Sequence, residues 1–318
     1  MVRSGRNKSS DPAKLREAYR TSRGIMYLGT AEEILTSPIG DAYKSKVQLI
    51  LTSPPFPLNR KKAYGNLTGQ AYIDWLSSTA QIFKDLLTPD GSLVIELGNA
   101  WEKGKPTMST LPLRALLSFL DRGDFYLCEQ FIYYNQARLP TPAQWVNIER
   151  VRVKDAYTHL WWMSPSSRPK ADNRKILKKY SAAMLNLLEK QEYNAGKRPS
   201  EHHVGMQSFL HDNNGSIPSN VLIFANTSAT DPYQRYCRNK SLKPHPARMA
   251  YGVAEFFIKF LTEPGDIVLD PFAGSNTTGA AADKLGRHWI SCEPLVDYIE
   301  GSKGRFSNNI LKVQRNVR

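Results

Sequence analysis

The sequence predicts an α/β fold, a largely parallel sheet with helices on both faces. Three observations carry that expectation. Short apolar runs stop abruptly at loops, as Val47–Leu51 does before Thr52-Ser53-Pro54-Pro55-Phe56, and such runs read as strands buried on both faces. These runs alternate with segments of helical apolar spacing. Near the C-terminal end, Asp266–Asp270 leads through a small-residue turn into a helix, Asn276–Leu285, and then a second strand, His288–Glu293, the pattern of a ligand-binding βαβ unit.

In chain order, residues 1–23 read as a polar, basic arm and Ile25–Leu28 as a short strand. Val47–Leu51 is the first buried strand. Tyr72–Leu87 has apolar residues at Tyr72, Ile73, Leu76, Ile82, Phe83 and Leu86, a helical spacing that ends at the turn signal Thr88-Pro89-Asp90-Gly91. Ser92–Leu97 is the next strand, Leu111–Leu120 the next helix and Phe125–Tyr134 a further strand. Tyr157–Met163, after a turn near Lys154-Asp155, is expected as an antiparallel edge strand. From Ser164 to about Lys243 the rhythm dissolves into polar, basic sequence with one helix expected over Ile176–Lys190. The alternation resumes with an amphipathic helix over Pro246–Leu261, and Gly286 is placed to end the helix Asn276–Leu285. The expected organisation is an arm (1–23), a first half of the main domain (24–163), an inserted recognition region (164–243) and a second half (244–318).

Lys and Arg number 43 against 29 Asp and Glu, a net charge of +14. That surplus favours a polyanionic partner, nucleic acid, over a basic surface that only aids solubility. Hydrophobic residues at 41% indicate a globular chain. No apolar run approaches a membrane span. The polar start carries no apolar h-region, so no signal peptide is expected. The three cysteines, Cys128, Cys237 and Cys292, are widely spaced and form no C-x-x-C. A zinc site of standard spacing and a disulfide framework are therefore not expected, and a reducing, cytoplasmic compartment is.

Two segments carry chemistry. In Asp270-Pro271-Phe272-Ala273-Gly274-Ser275-Asn276-Thr277-Thr278-Gly279 a strand ends in an acid, and Gly274 admits a close backbone approach before a helix N-terminus. Glu293 ends the next strand, where an acid can accept both hydroxyls of a ribose. The glycines do not follow G-x-G-x-x-G, so a nucleoside such as S-adenosylmethionine (SAM) fits better than a dinucleotide. The plain alternative is a tight βα turn with Asp270 as a helix cap. The second segment is Ser53-Pro54-Pro55-Phe56, at the end of a buried strand. An exocyclic amine is a poor nucleophile because its lone pair is delocalised into the ring. Acceptors on its two N–H bonds draw it towards tetrahedral geometry, and positioning then carries the rate. Ser53 offers a hydroxyl and Pro54 a carbonyl; Pro55 stiffens the loop, and Phe56 presents a flat face to a base taken out of the duplex.

With both segments present, the sequence resembles the amino DNA methyltransferases of the permuted β class, and among them the PvuII-type cytosine-N4 enzymes. The likeness runs from about Met26 to the final strand. It includes Pro57-Leu58-Asn59-Arg60-Lys61-Lys62-Ala63-Tyr64-Gly65-Asn66, Arg152-Val153-Lys154-Asp155-Ala156, Trp161-Trp162, Asn214-Gly215-Ser216-Ile217-Pro218 and His245-Pro246-Ala247-Arg248. The resemblance implies a seven-stranded SAM-dependent methyltransferase sheet entered in the middle, with strands three to seven first, then the recognition region, then strands one and two. It implies that Asp270, Pro271, Phe272, Gly274, Ser275, Asn276, Thr277 and Thr278 surround the methionine part of SAM. Glu293 is then the residue that holds the ribose, with His245 and Pro246 flanking the cofactor. The family usually carries an acid after the glycine matched by Gly29, at the adenine end. Thr30 stands there, so a weaker contact is expected, with Glu32 or Glu33 as compensating acids.

The implied partner is double-stranded DNA, contacted by Arg60, Lys61 and Lys62 and by Arg168, Lys170, Lys197 and Arg198 in the recognition region. No membrane partner and no metal are implied. A restriction endonuclease is a functional companion, with no stable complex implied. Ser at the head of the tetrapeptide favours cytosine-N4 over adenine-N6, although either amine can be held the same way. Transfer to cytosine C5 is disfavoured, since that chemistry needs a cysteine nucleophile that the family sets after a proline, and no cysteine here follows one. A non-catalytic DNA-binding relative would be expected to have lost the tetrapeptide or the glycine turn, and both are intact. An RNA methyltransferase is a further rival, because charge does not separate the two nucleic acids.

Overall fold

A computed structural model describes residues 16–57, 67–225, 231–306 and 309–311 of the chain. The strands are β1 (Arg16–Arg20), β2 (Gly24–Leu28), β3 (Val47–Thr52), β4 (Leu87–Gly98), β5 (Tyr126–Tyr134), β6 (Tyr157–Ser164), β7 (Gly196–Lys197), β8 (His203–Val204), β9 (Val221–Ile223), β10 (Ile267–Asp270) and β11 (His288–Glu293). The helices are α1 (Ala31–Leu35), α2 (Pro38–Asp41), α3 (Gly69–Ser78), α4 (Ala80–Leu86), α5 (Leu111–Gly123), α6 (Ala182–Lys190), α7 (Pro232–Asn239), α8 (Tyr251–Leu261), α9 (Thr277–Lys284) and α10 (Val296–Ser302).

The main sheet has the order β1-β2-β11-β10-β3-β4-β6-β5-β9. From β2 to β4 neighbouring strands are parallel, and β6 runs antiparallel between β4 and β5. Strands β2 to β6 with β10 and β11 make the expected seven-stranded methyltransferase sheet, entered in the middle. The chain lays down β2 to β6 first, then returns to the centre with β10 and β11. Strands β1 and β9 extend its two edges.

Why the centre lies there follows from the residues. All six positions of β3 are buried, as a strand covered on both faces requires. On one face Tyr72, Ile73, Leu76, Phe83 and Leu86 of α3 and α4 pack with Phe119 of α5. On the other, Val253, Ala254, Phe257 and Ile258 of α8 pack with Ala281 and Ala282 of α9. The helices that follow β3 and β10, adjacent strands, therefore leave to opposite faces. Such a divergence opens a crevice beyond the C-terminal strand ends.

Several local expectations are corrected. The arm expected over 1–23 contributes β1, which pairs with β2; Tyr19 is buried there, its hydroxyl 2.7 Å from Ser302 Oγ. The helix expected over Tyr72–Leu87 divides at Thr79, whose hydroxyl donates to the Leu76 carbonyl at 2.7 Å, as Ser77 and Ser78 also bond back by three residues. Such side chains compete with the helical ladder. Thr88–Gly91 lies inside β4, where Leu87 pairs with Val47 and Ser92 with Leu49, so the intervening residues bulge from the ladder. Strand β6 is interior, not an edge, and its continuous run Leu160-Trp161-Trp162-Met163 is buried. Within Ile176–Lys190 only α6 is α-helical, because Lys178 bridges to Ser216. The helix expected from Pro246 begins at Tyr251.

The region 164–243 is not wholly an insertion. Its start docks on the main body, the Lys170 amide donating to the Asp90 carbonyl and the Asp172 amide to that of Phe260. Its end supplies β9 to the sheet and α7, whose Tyr233 and Cys237 are buried. Between them lie α6 and the two-stranded β7–β8 ladder.

Candidate active site

The strand ends of β2, β11, β10 and β3 meet at one cavity of about 560 Å³. Ser53, Pro54, Pro55 and Phe56 line it from the end of β3. Asp270, Pro271, Phe272, Gly274, Ser275, Thr277 and Thr278 line it from the β10–α9 turn, Glu293 from the end of β11, Thr30 from the end of β2, and His245 from the segment before α8. Two segments more than two hundred residues apart in sequence thus face one space. The joint between them is a buried hydrogen bond, Thr52 Oγ1 donating to Asp270 Oδ1 at 2.7 Å.

The β10–α9 turn is held by backbone geometry. Gly274 sits at φ +49°, and a Cβ there would meet His245 Nε2 at 3.0 Å. The space closed by a side chain at Gly274 is therefore first that of the His245 imidazole. That ring packs edge-on against Tyr298, centroids 4.4 Å apart. The Gly274 amide donates to Glu293 Oε2 and the Leu295 amide to Oε1, each at 2.9 Å. Each carboxylate oxygen keeps acceptor capacity, as a pair of ribose hydroxyls requires. Burial pushes the Glu293 carboxyl up to about 7, against those two amides and with help from the charge of Asp270. Asp270 is likewise pushed up by burial, to about 6, with Thr52, Thr278 and the Phe272 amide pulling against it.

The Ser53–Phe56 loop rests on a residue outside the predicted set. Glu96, near the end of β4, is buried and accepts a hydrogen bond from Thr158 at 3.1 Å, with the Ser53 hydroxyl close enough to lower its carboxyl slightly. Burial raises its carboxyl to about 7, while Thr158, the charge of Arg138 and the nearby Ser53 hydroxyl lower it. The sequence signal was an acid inside the apolar run Leu93-Val94-Ile95-Glu96-Leu97, since a buried charge must have partners. Phe56 lies over Gly98, where a Cβ would come within 2.6 Å of its ring. A glycine at the end of β4 therefore seats the aromatic face of the loop.

Other expected site residues are not at the cavity. Asn276 is buried but turned inward, capping α9 through the Gly279 amide and bonding Tyr19 and Ser291. It does not line the cavity. Pro246 is exposed beside His245 and does not line the cavity. Lys170 pairs with Asp266 at 2.7 Å, at the start of β10, and Arg168 is near it beyond Ser164, which bonds the Gly91 carbonyl. Both lie at the sheet edge opposite the cavity. Lys197 and Arg198 lie on and just after β7, with Arg198 closing the turn to His202. Arg60, Lys61 and Lys62 fall outside the described residues. Residues not anticipated include Trp75 and Tyr72 in the wall, and Arg305, which fixes the turn by donating to the Ser275 carbonyl at 2.7 Å.

Comparison with known proteins shows the family. The sequence profile of the DNA methylase family matches residues 47–303, and the chain belongs to that family. The Type II methyltransferase M.PvuII of Proteus hauseri is 42% identical over 300 residues, covering 94% of this chain and 88% of that protein. The solved structure of the PvuII DNA methyltransferase, described as cytosine-N4-specific, superposes with a TM-score of 0.74 at 36% identity, over 96% of this chain and 91% of the other. A complex of M1.HpyAVI with SAM, at 21% identity and a TM-score of 0.51 over 88% of this chain and 98% of the other, shares the fold. Among the described residues no helix is long and apolar enough to cross a membrane.

The raised carboxyl of Glu96, beside Ser53, generates a pH prediction. An ionised Glu96 only accepts, so a Ser53 hydroxyl drawn to it would turn its proton inward and its lone pairs towards the cavity. Below about 7 the carboxyl is protonated and that bias is lost. Single-turnover methyl transfer is expected to rise with pH through a limb near 7, and Glu96→Gln to flatten that limb and lower the plateau by roughly 10²-fold. A pH–rate profile identical in the variant would remove Glu96 from the mechanism.

Proposed function

We propose that the protein is a site-specific DNA methyltransferase that moves a methyl group from SAM to N4 of cytosine, as the modification activity of a restriction-modification system. The observation that carries this reading is the single cavity shared by the Ser53–Phe56 loop and the Gly274–Glu293 turn. Its size suits a nucleoside with an amino-acid tail beside a flipped base. The glycine turn that hydrogen-bonds a carboxylate fits a ribose, and the apolar, aromatic lining fits the rest of the cofactor. When bound, SAM supplies a methyl group already activated by its sulfonium.

The protein's own residues supply position and acceptors. Phe56, seated on Gly98, stacks on the base. The Ser53 oxygen and the Pro54 carbonyl accept from the two N–H bonds of the amine and free its lone pair. Glu96 orients the Ser53 hydroxyl, and Glu293 holds the ribose. No covalent enzyme intermediate is required. Lys197 and Arg198, on the part of 164–243 that stands outside the main sheet, contact the DNA backbone. Replacing both by Ala is expected to weaken binding to all duplexes alike and to reduce the slope of log affinity against log salt by about two; an unchanged slope would remove them from the interface.

Incubation of plasmid DNA with the protein and isotopically labelled SAM, followed by enzymatic digestion and mass spectrometry of nucleosides, tests the reaction. Labelled N4-methylcytosine is expected from the wild type, with Ser53→Ala slower by roughly 10²-fold or more while SAM affinity stays near that of the wild type. Labelled N6-methyladenine would establish the rival amine. Label confined to RNA when both substrates are offered would overturn the DNA assignment.

A further inference from the structure

Residues 135–156 join β5 to β6 at the cavity's edge of the sheet, and the methyl transfer itself gives them no task. Strand β6 runs antiparallel to β4 with Thr158 opposite Gly98, and β5 ends with Tyr134 opposite Tyr157. Gly98 is the seat of Phe56. The segment therefore leaves the sheet one strand spacing, roughly 4.8 Å, from the strand under the base-stacking ring. It is a braced protrusion. The Asn135 amide donates to the Ala156 carbonyl at 2.8 Å and Arg138 Nη1 to the Tyr157 carbonyl at 3.0 Å, which closes its base. Asn99, just after β4, donates from Nδ2 to Asp155 Oδ1 at 2.8 Å. Further out, Asn147 Nδ2 donates to the Pro140 carbonyl at 3.3 Å and the Val151 amide to the Trp145 carbonyl at 3.0 Å.

This braced segment holds apolar side chains out in water. Leu139 is 75% exposed, Ile148 69%, Val151 60% and Val153 85%, and Val153 is the most exposed large apolar side chain among the described residues. Arg152, between the two valines, places its guanidinium over the Trp101 ring, while its neighbours on either side face solvent. Apolar side chains grouped on a braced protrusion mark a contact surface. The charge around them is chiefly basic: Arg150, Lys103 and Lys105 are exposed at the same edge, against Glu102 and Glu149. An apolar tip in a basic collar fits a duplex whose stack has been opened, since the side chains meet base faces while the cations meet phosphates. A second copy of this chain would bring the same positive charge against itself.

We propose that residues 139–153 form a wedge that enters the duplex at the target, with Val151 and Val153 filling the gap that the flipped base leaves. The proposal rests on the reading of the protein as a DNA methyltransferase and holds for either target amine. Extruding a base exposes the faces of the two flanking base pairs and leaves its partner without a mate. Apolar side chains in the gap cover those faces, so the flipped base stays longer at Phe56 and Ser53. Val151 and Val153 act on the extrusion equilibrium and not on the transfer step.

A duplex spanning one methylated site, mapped by sequencing of the modified plasmid, tests this in two forms. In one the target has its partner base; in the other the partner nucleotide is abasic, so that no pairing opposes extrusion. Single-turnover transfer by the full chain is compared with that of the double variant Val151→Ser, Val153→Ser. Both side chains are exposed, so the variant is expected to fold and to bind SAM as the wild type does in calorimetry. It is expected to be at least about tenfold slower on the paired duplex and within about threefold of the wild type on the abasic one. Wild-type speed on the paired duplex, or the same deficit on both duplexes, would overturn the proposal. So would sedimentation that shows a wild-type dimer and a monomeric variant, since the apolar tip would then join two copies. If the wild type methylates the paired duplex and the variant keeps pace, the activity stands and the wedge alone falls. If the wild type methylates no DNA, the reading of the activity falls and takes the proposal with it.

Discussion

The hydrogen bond from Thr52 to Asp270 is the joint on which this molecule turns. It links the last residues of β3 and β10, 218 positions apart in the chain, inside the sheet's C-terminal edge. An isolated carboxylate at that depth would be costly, and a bond to a charged acceptor of this kind offsets about 1.5–3 kcal/mol. The Phe272 amide, at 3.2 Å, shares the same oxygen. One acid thus shapes the start of the cofactor turn and anchors the strand that delivers Ser53. The permuted chain order makes the joint necessary, because the two functional loops are distant in sequence and neighbours only through β3 and β10.

Close approach is the second constraint. Gly98 and Gly274 each leave room for one ring, Phe56 in the first case and His245 in the second. Both contacts define cavity walls, and neither tolerates a side chain without displacement of that ring. Three buried acids, Glu96, Asp270 and Glu293, sit around the same space, each with a carboxyl raised by burial. Burial disfavours the charged form of each, and a cationic ligand beside them would favour it. Raised carboxyls of this kind are characteristic of functional sites.

Much of this was legible because it is local. The unit from β10 through α9 to β11 is contiguous, and its strand, turn, helix and closing acid all read directly from residues 266–293. The tetrapeptide after β3 read equally well, since two prolines directly after a wholly apolar run end a buried strand in a stiff loop. What failed to read depended on direction or on distant partners. Asn276 shares the turn's sequence but faces the core. Lys170 pairs with Asp266, 96 positions away, a partner that its local sequence does not announce. The interior place of β6 was signalled by Leu160-Trp161-Trp162-Met163, a run too apolar for an edge. The Trp75 indole donates to Glu32 at 2.7 Å from a separate helix, and nothing in either segment announces the other.

The central claim is that the two halves act as one site through the β3–β10 joint. A double-mutant cycle measures it most directly, using single-turnover methyl transfer by the wild type, Thr52→Val, Asp270→Asn and the double variant at saturating SAM. If the joint sets the catalytic loop against the cofactor turn, each single change slows transfer and the second adds little to the first, a coupling of about 1–2 kcal/mol. Fully additive losses would contradict the account, because Thr52 and Asp270 would then serve their own segments independently.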